Sequence, residues 1–331
     1  MVSDRGVVHG PRTVGIDIGG TNLRAAVVDA DGTVVDVEKL PTPSSVDALE
    51  TAIANAVHIL RARHDVAAVG LAVAGFVTAD QRSVRFAPHL PWRDTDVVAR
   101  LSARIGLPVI LEHDANAAAW GERYLGVAQD AGTWVLFALG TGIGGALMID
   151  GEMYRGAYGT APEFGHLTVV PGGRACPCGR RGCFERYCSG SAITLTAREF
   201  IATGRHPDSR LAQQFHSQPE EITGRSVVRL AREDDPLARE VIDDVSTWLG
   251  RGLALVQEVM DPGLIVLGGG LSLDSDIFID RAVEVMAESC VGAGHRPLAR
   301  VTPAGLGAEA GMIGVALRAA EVTGRAGGAP A

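Results

Sequence analysis

The chain has 331 residues, a formal net charge of −9, 47% hydrophobic residues and 21% charged residues. This mix supports a sizeable core and excludes disorder, collagen and coiled coil as the main architecture. The acidic balance argues against nonspecific binding to nucleic acid or to a membrane. Glycine is abundant, at 42 residues, while aromatics are only 5%, a pattern of Gly-rich turns between short apolar strands.

The first residues are polar and lack the apolar stretch of a signal peptide. Val14–Ile18 reads as a strand entering Gly19-Gly20-Thr21-Asn22, Leu23–Asp29 as a second strand, and Asp31-Gly32 as a hairpin turn into Val34–Val37. Ser44–Arg61 is predicted as a helix with Val46, Leu49, Ile53, Val57 and Leu60 on one face. Strand Ala67–Val73, helix Val97–Ile105, strand Pro108–Glu112 and an Ala-rich helix, Ala115–Tyr124, follow. Helices and loops fill the middle. A long helix over Pro236–Met260 is stopped by Asp261-Pro262-Gly263, strand Leu264–Leu267 runs into Gly268-Gly269-Gly270, and Ala308–Val322 is the last helix. Alternating strands and helices predict an α/β fold. The longest apolar stretch, Leu253–Leu271, is interrupted by Gln257, Glu258, Asp261 and Pro262. It falls short of the ~20 residues a bilayer span needs, so a cytoplasmic protein is expected.

One repeat organises the chain. Val14–Asp29 can be laid on Val135–Asp150: strand, glycine turn, strand, then a tight turn with Asp. Gly19 falls on Gly140 and Ala25 on Ala146, but Asp17 falls on Ala138. Two such units suggest two similar lobes, each with a turn whose N–H groups can meet an anion. Two unrelated hairpins that need glycine would look alike taken singly.

Five constellations carry chemistry. In Asp17-Ile-Gly-Gly-Thr-Asn22, Gly19 and Gly20 let the backbone approach phosphate oxygens, Thr21 and Asn22 can donate hydrogen bonds, and Asp17 can hold Mg²⁺ through water. Gly140-Thr141-Gly142 supplies a second phosphate turn, with the Thr141 hydroxyl as donor. Asp114 reads two ways, as the cap of the Ala-rich helix or as a general base that takes the proton of a substrate hydroxyl attacking phosphorus. Cys176-Pro-Cys178-Gly-Arg-Arg-Gly-Cys183 supplies three thiolates, and His166 is the natural fourth ligand of a closed, structural Zn²⁺ site; the alternative is a loop of reduced thiols. Gly269 and Gly270 can let adenine and ribose lie on the backbone, or form a plain strand-to-helix turn. Cys188 and Cys290 read as buried small hydrophobes, and Arg174, Arg180 and Arg181 as a solvated face.

Together these residues resemble the ROK family (repressors, open reading frames and kinases), most closely its bacterial glucokinase branch. The resemblance runs from about Val14 to the last helix. Asp17–Asn22 and Gly140–Gly145 are similar to its phosphate motifs, and Glu163-Phe-Gly-His166 with Cys176–Cys183 to its signature and zinc loop. The resemblance implies an actin-like ATPase (ribonuclease H-like) fold of two lobes around a central cleft. It implies a small lobe of residues 12–125 plus 309–323 and a large lobe of 126–308, with flexible ends at 1–11 and 324–331.

The activity so implied is ATP-dependent phosphorylation of a hexose at its C6 hydroxyl, glucose to glucose 6-phosphate, in a homodimer or homotetramer. Asp114 would be the base, Glu163, His166 and Glu185 would contact sugar hydroxyls, and Gly75 would face the sugar with its backbone. His113 stands where the family's kinases usually carry Asn, also toward the sugar. Imidazole offers hydroxyls a different donor and acceptor set from an amide, which leaves N-acetylmannosamine, fructose, mannose and allose as alternative acceptors and polyphosphate as an alternative donor. A sugar-responsive regulator, the family's other branch, would need a helix-turn-helix, and only about a dozen residues precede Val14, fewer than such modules use.

Overall fold

The computed structural model describes residues 11–327. The chain divides into two compact units: Met1–Asp130, Glu152–Pro162 and Ala308–Ala331 form the first, Ala131–Gly151 and Glu163–Gly307 the second. In chain order the elements are β1 (Thr13–Ile18), β2 (Asn22–Val28), β3 (Val34–Pro41), α1 (Val46–Arg61), β4 (Ala68–Val73), β5 (Phe76–Val77), β6 (Ser83–Phe86) and β7 (Arg93–Asp96). Next come α2 (Val97–Ile105), β8 (Val109–His113), α3 (Asp114–Tyr124), β9 (Trp134–Leu139), β10 (Ile143–Ile149) and β11 (Glu152–Tyr154). The remainder is α4 (Gly190–Ala202), α5 (Arg210–Phe215), α6 (Gly224–Arg232), α7 (Pro236–Met260), β12 (Leu264–Gly268), α8 (Ile279–Ser289), β13 (Arg300–Pro303) and α9 (Ala310–Gly327).

In the first unit the main sheet runs β3-β2-β1-β4-β8. β1 pairs antiparallel with β2 and parallel with β4, and β4 pairs parallel with β8. The core strands read as continuous Val, Ile, Leu and Ala because helices cover them. Ile16, Ile18, Leu71 and Leu111 are fully or almost fully buried with Leu49, Ile53, Val57 and Leu60 of α1. α1 starts where Ser45 accepts from the Ala48 N–H, a cap of about 1 kcal/mol. On another side α9 lies flush on the sheet. A Cβ at Gly15 or Gly70 would sit 2.0 Å from the Met312 carbonyl oxygen or 2.2 Å from that of Val315. A small third sheet, β5-β6-β7, was not legible in the sequence.

The second unit repeats the plan. Its strands neighbour one another as β10-β9-β12-β13, with β9 and β10 antiparallel and β9, β12 and β13 parallel. This is the order β2-β1-β4-β8 again, so the repeated glycine hairpin heads the same kind of sheet twice. Val135, Phe137, Leu139, Ile265 and Leu267 are buried against the inward faces of α4, α6 and α7.

The bounds of the two units differ from those of the expected lobes. Residues 152–162 group with the first unit, not with the larger second one. α9 continues to Gly327, so the expected flexible end at 324–331 is helical over its first four positions. Residues 1–10 and 328–331 of the expected flexible ends lie outside the described residues. Among the described residues no helix is long and apolar enough to cross a membrane.

Candidate active site

In the first unit, β1 delivers Asp17 beside its glycine turn. The Gly19 N–H is tied back to the Asn22 carbonyl at 3.0 Å, and the Gly19 carbonyl accepts from the Thr42 hydroxyl at 2.7 Å. Gly20, Thr21 and Asn22 are exposed at the tip. Burial, and then the Asp114 carboxylate, push Asp17 above the ordinary carboxylate range against the pull of Arg24. A carboxylate raised by burial and by a second carboxylate is a natural seat for a divalent cation, which removes the repulsion. Gly75 lies in the two-residue turn, Ala74-Gly75, between β4 and β5.

Asp114 opens α3 at the end of β8. The capping position belongs to His113, and no side-chain cap bond is made there. The Asp114 carboxylate instead turns one oxygen inward: Oδ1 accepts from the Ala115 N–H at 2.8 Å and lies 3.1 Å from His113 Nε2. Among the described residues, nothing hydrogen-bonds Oδ2, and the side chain is 45% exposed. One oxygen is held and the other presented, as a base for a bound hydroxyl requires. The cap position itself is occupied by His113, one residue before Asp114.

The second unit holds the other groups. In the β9–β10 turn the Gly140 N–H is tied back to the Gly142 carbonyl at 3.0 Å, as Gly19 is in the first copy. The Gly140 carbonyl accepts from the Gly190 N–H at the start of α4, and Thr141 is exposed. Gly269 and Gly270 follow β12 and lead into a 3-10 turn.

His166, Cys176, Cys178 and Cys183 meet with all ligand atoms within 4.8 Å of one another. The Sγ atoms of Cys178 and Cys183 are 3.6 Å apart, and Cys176 Sγ is 3.9 Å from His166 Nδ1. A tetrahedral ion with bonds of ~2.3 Å sets its sulfurs about 3.8 Å apart, close to the two separations above, so the donor set fits Zn²⁺. The loop closes on itself: Cys176 N–H donates to the Arg180 carbonyl and Gly182 N–H to that of Arg174. Gly182 has φ +80 and a Cβ there would strike the Val170 carbonyl, so only glycine serves. Burial raises the Cys176 and Cys183 thiols. For Cys178, burial is outweighed by the Arg180 backbone N–H and the neighbouring thiols, which bring it to about 6 and favour the metal-binding thiolate.

His166 turns Nδ1 to the thiols and Nε2 toward Glu163, 3.9 Å away. Glu185, in a 3-10 turn just beyond Cys183, receives the Cys176 thiol on Oε1 at 3.1 Å and the Ile143 N–H on Oε2 at 3.4 Å. It ties the thiol cluster to the start of β10. The expected solvated face is corrected at Arg174: its guanidinium binds Glu199, Thr196 and the Arg186 carbonyl, which fastens the loop to α4. Arg180 donates to the His166 carbonyl at 2.7 Å. Cys188 and Cys290 are buried, as expected.

Sequence reasoning missed Glu112, which is 1% exposed and receives Gln81, Asn116, Trp120 and Arg155. Its only signal was a carboxylate closing an otherwise apolar strand.

A hairpin-headed sheet built twice, with glycine turns, a presented carboxylate and a thiol-braced polar cluster, defines an α/β protein of the actin-like ATPase fold. The chain belongs to the ROK family, whose model matches residues 13–322. It is 39% identical over 304 residues to a glucokinase of Streptomyces coelicolor, covering 92% of this chain and 96% of that one. It is also similar to the crystal structure of a ROK family glucokinase from Streptomyces griseus in complex with glucose and AMPPNP (TM-score 0.82, 37% identity, 94% and 99% coverage). A ROK family transcriptional regulator superposes with a TM-score of 0.83 at 26% identity, covering 93% of this chain and 78% of the regulator.

Proposed function

We propose that the protein is an ATP-dependent glucokinase that transfers the terminal phosphoryl group of ATP to the C6 hydroxyl of glucose. Sequence similarity to glucokinases over most of the chain supports the kinase. Asp114, with one oxygen held and the other presented, is the observation that carries it. Asp114 accepts the hydroxyl proton as that oxygen attacks the terminal phosphorus. The turns at Gly19, Gly20, Thr21 and Asn22 and at Gly140, Thr141 and Gly142 receive phosphate oxygens, and the Gly269-Gly270 backbone receives the nucleoside. Asp17 holds Mg²⁺, which when bound spreads the negative charge of the phosphates. Glu163, His166 and Glu185 bind sugar hydroxyls, with His166 oriented through its Nδ1 by the zinc it helps to hold. His113 and the Gly75 backbone complete sugar recognition. The same reading has the enzyme working as a homodimer or homotetramer in the cytoplasm.

A regulator would have no use for a presented base, and Asp17 and Asp114 together favour the kinase. Asp114→Asn is expected to lower kcat by about three orders of magnitude, the middle of the range for a general base, while glucose still binds by calorimetry. Wild-type turnover in that variant would remove the assigned base. ADP release measured over glucose, mannose, fructose, allose and N-acetylmannosamine tests the acceptor. His113 favours a second reading in which another hexose is preferred, and a higher kcat/KM for one of those sugars would establish it.

A further inference from the structure

Two residues before Asp114 lies a carboxylate that never meets solvent. Glu112 is the penultimate residue of β8 and is 1% exposed. Its Oε1 accepts from the Asn116 side-chain amide at 3.0 Å and from the His113 N–H at 3.1 Å. Its Oε2 accepts from Gln81 at 3.0 Å and from the Trp120 indole at 3.4 Å. The Arg155 guanidinium spans both oxygens as a fork. The donors come from the β5–β6 turn, from two turns of α3 and from the stretch after β11. Gln81 reaches Glu112 from a left-handed backbone, φ 57, a conformation that a non-glycine residue keeps only when its surroundings impose it.

We propose that Glu112 and Arg155 form a positioning device for Asp114. This rests on the reading of Asp114 as the base. A buried ion pair adds little stability over a well-packed apolar pair of the same volume, so stability does not explain it. What a saturated carboxylate supplies is direction. With every lone pair taken, Glu112 has one orientation, and it passes that orientation to the backbone of His113 and to the side chain of Asn116. Those residues bracket Asp114, whose held oxygen is fixed by the His113 ring and the Ala115 N–H. The base is aimed by a clamp that touches no substrate. Displacing a reacting group by about 1 Å can cost about 100-fold in rate.

The test separates aim from stability. Glu112→Leu with Arg155→Met removes both charges and leaves none unpaired. Because it also strands the Gln81, Asn116 and Trp120 donors, the double variant is expected to melt below wild type; assayed well below its own melting temperature it is expected to keep glucose and ATP KM within about threefold, while kcat falls at least about tenfold. Arg155→Lys keeps the charge but loses the fork. It is expected to fold like wild type with an intermediate kcat, so the inference stays testable if the double variant does not fold. Wild-type kcat in either folded variant overturns it, as does a loss of kcat that merely follows the unfolded fraction. Asp114→Asn assayed beside them separates the two claims. An active Asp114→Asn removes the base itself, whereas an inactive one beside a fully active double variant removes only the clamp.

Discussion

Asp17 is held against its own ionisation. Burial comes first among the causes, then the Asp114 carboxylate, with Arg24 opposing both. A carboxylate whose folded pKa lies above its unfolded value penalises the native state wherever it is charged in both states. The penalty is absent below the ordinary value of 3.8, grows as pH rises through the raised folded value, and is complete at neutral pH. Asp17→Asn should therefore melt at a higher temperature than wild type at pH 7, with the gap closing as the buffer is taken below 3.8. Turnover should be lost in the same variant, the usual exchange of stability for function at a charged site. Equal melting temperatures at neutral pH would show that Asp17 is not strained. Single-residue chemistry of this kind was partly legible in the sequence. Asp17, Asp114 and the three thiols stand in short strings where neighbours along the chain are neighbours in space. Glu112 was not, because Gln81, Trp120 and Arg155 reach it from 31, 8 and 43 positions away.

Elements with local start and stop signals were legible. α7 is bounded as its sequence predicts, with Asp235 accepting from the Ala238 N–H, Pro236 in the first turn and Asp261 left-handed at its end. β5, β6 and β7 were not, since Phe76-Val77, Ser83–Phe86 and Arg93–Asp96 have too few apolar positions to show a period and exist through pairing with one another. The sequence predicts an end to α9 at Val322 because the small residues beyond it look like loop, yet the helix runs on. The same small residues are functional further up that helix. A Cβ on Gly314 would lie 2.0 Å from the Ala117 carbonyl oxygen and 2.4 Å from the Gly121 nitrogen, so α3 and α9 meet backbone to backbone. Gly314→Ala, which would raise helix propensity by ~1 kcal/mol in isolation, should instead destabilise the first unit by about 1–3 kcal/mol by overpacking. Chemical denaturation reads this directly, and a stabilised variant would show that the two helices part at no cost. Because α3 carries Asp114 at its start, kcat should fall more than the stability loss alone explains.

At the scale of the molecule, each unit has its own core, Val14–Leu111 in the first and Val135–Ala299 in the second. The zinc set belongs wholly to the second. The duplicated plan was visible in the sequence through the glycine hairpins, while the switch of residues 152–162 to the first unit was not, because a chain crossing leaves no periodic mark. Separate cores make metal loss a local event. Without the ion, His166 Nδ1 is left with Cys176 Sγ and Glu185 Oε1, each 3.9 Å away, Glu185 keeps its contacts to Cys176 and Ile143, and the loop from Cys176 to Cys183 loses its metal brace. A structural zinc supplies folding free energy where it binds, so chelation should release amide protection over 163–190 first and leave β1, β4 and β8 protected as before. Glucose affinity should fall with that protection, while nucleotide binding partly survives. Hydrogen exchange and calorimetry on the same metal-free sample check both halves, and Cys178→Ser should reproduce the result without chelator. If the 163–190 stretch loses protection while glucose binds as before, His166 and Glu185 are not the groups that hold the sugar. If both units lose protection together, the metal supports the whole chain rather than one site.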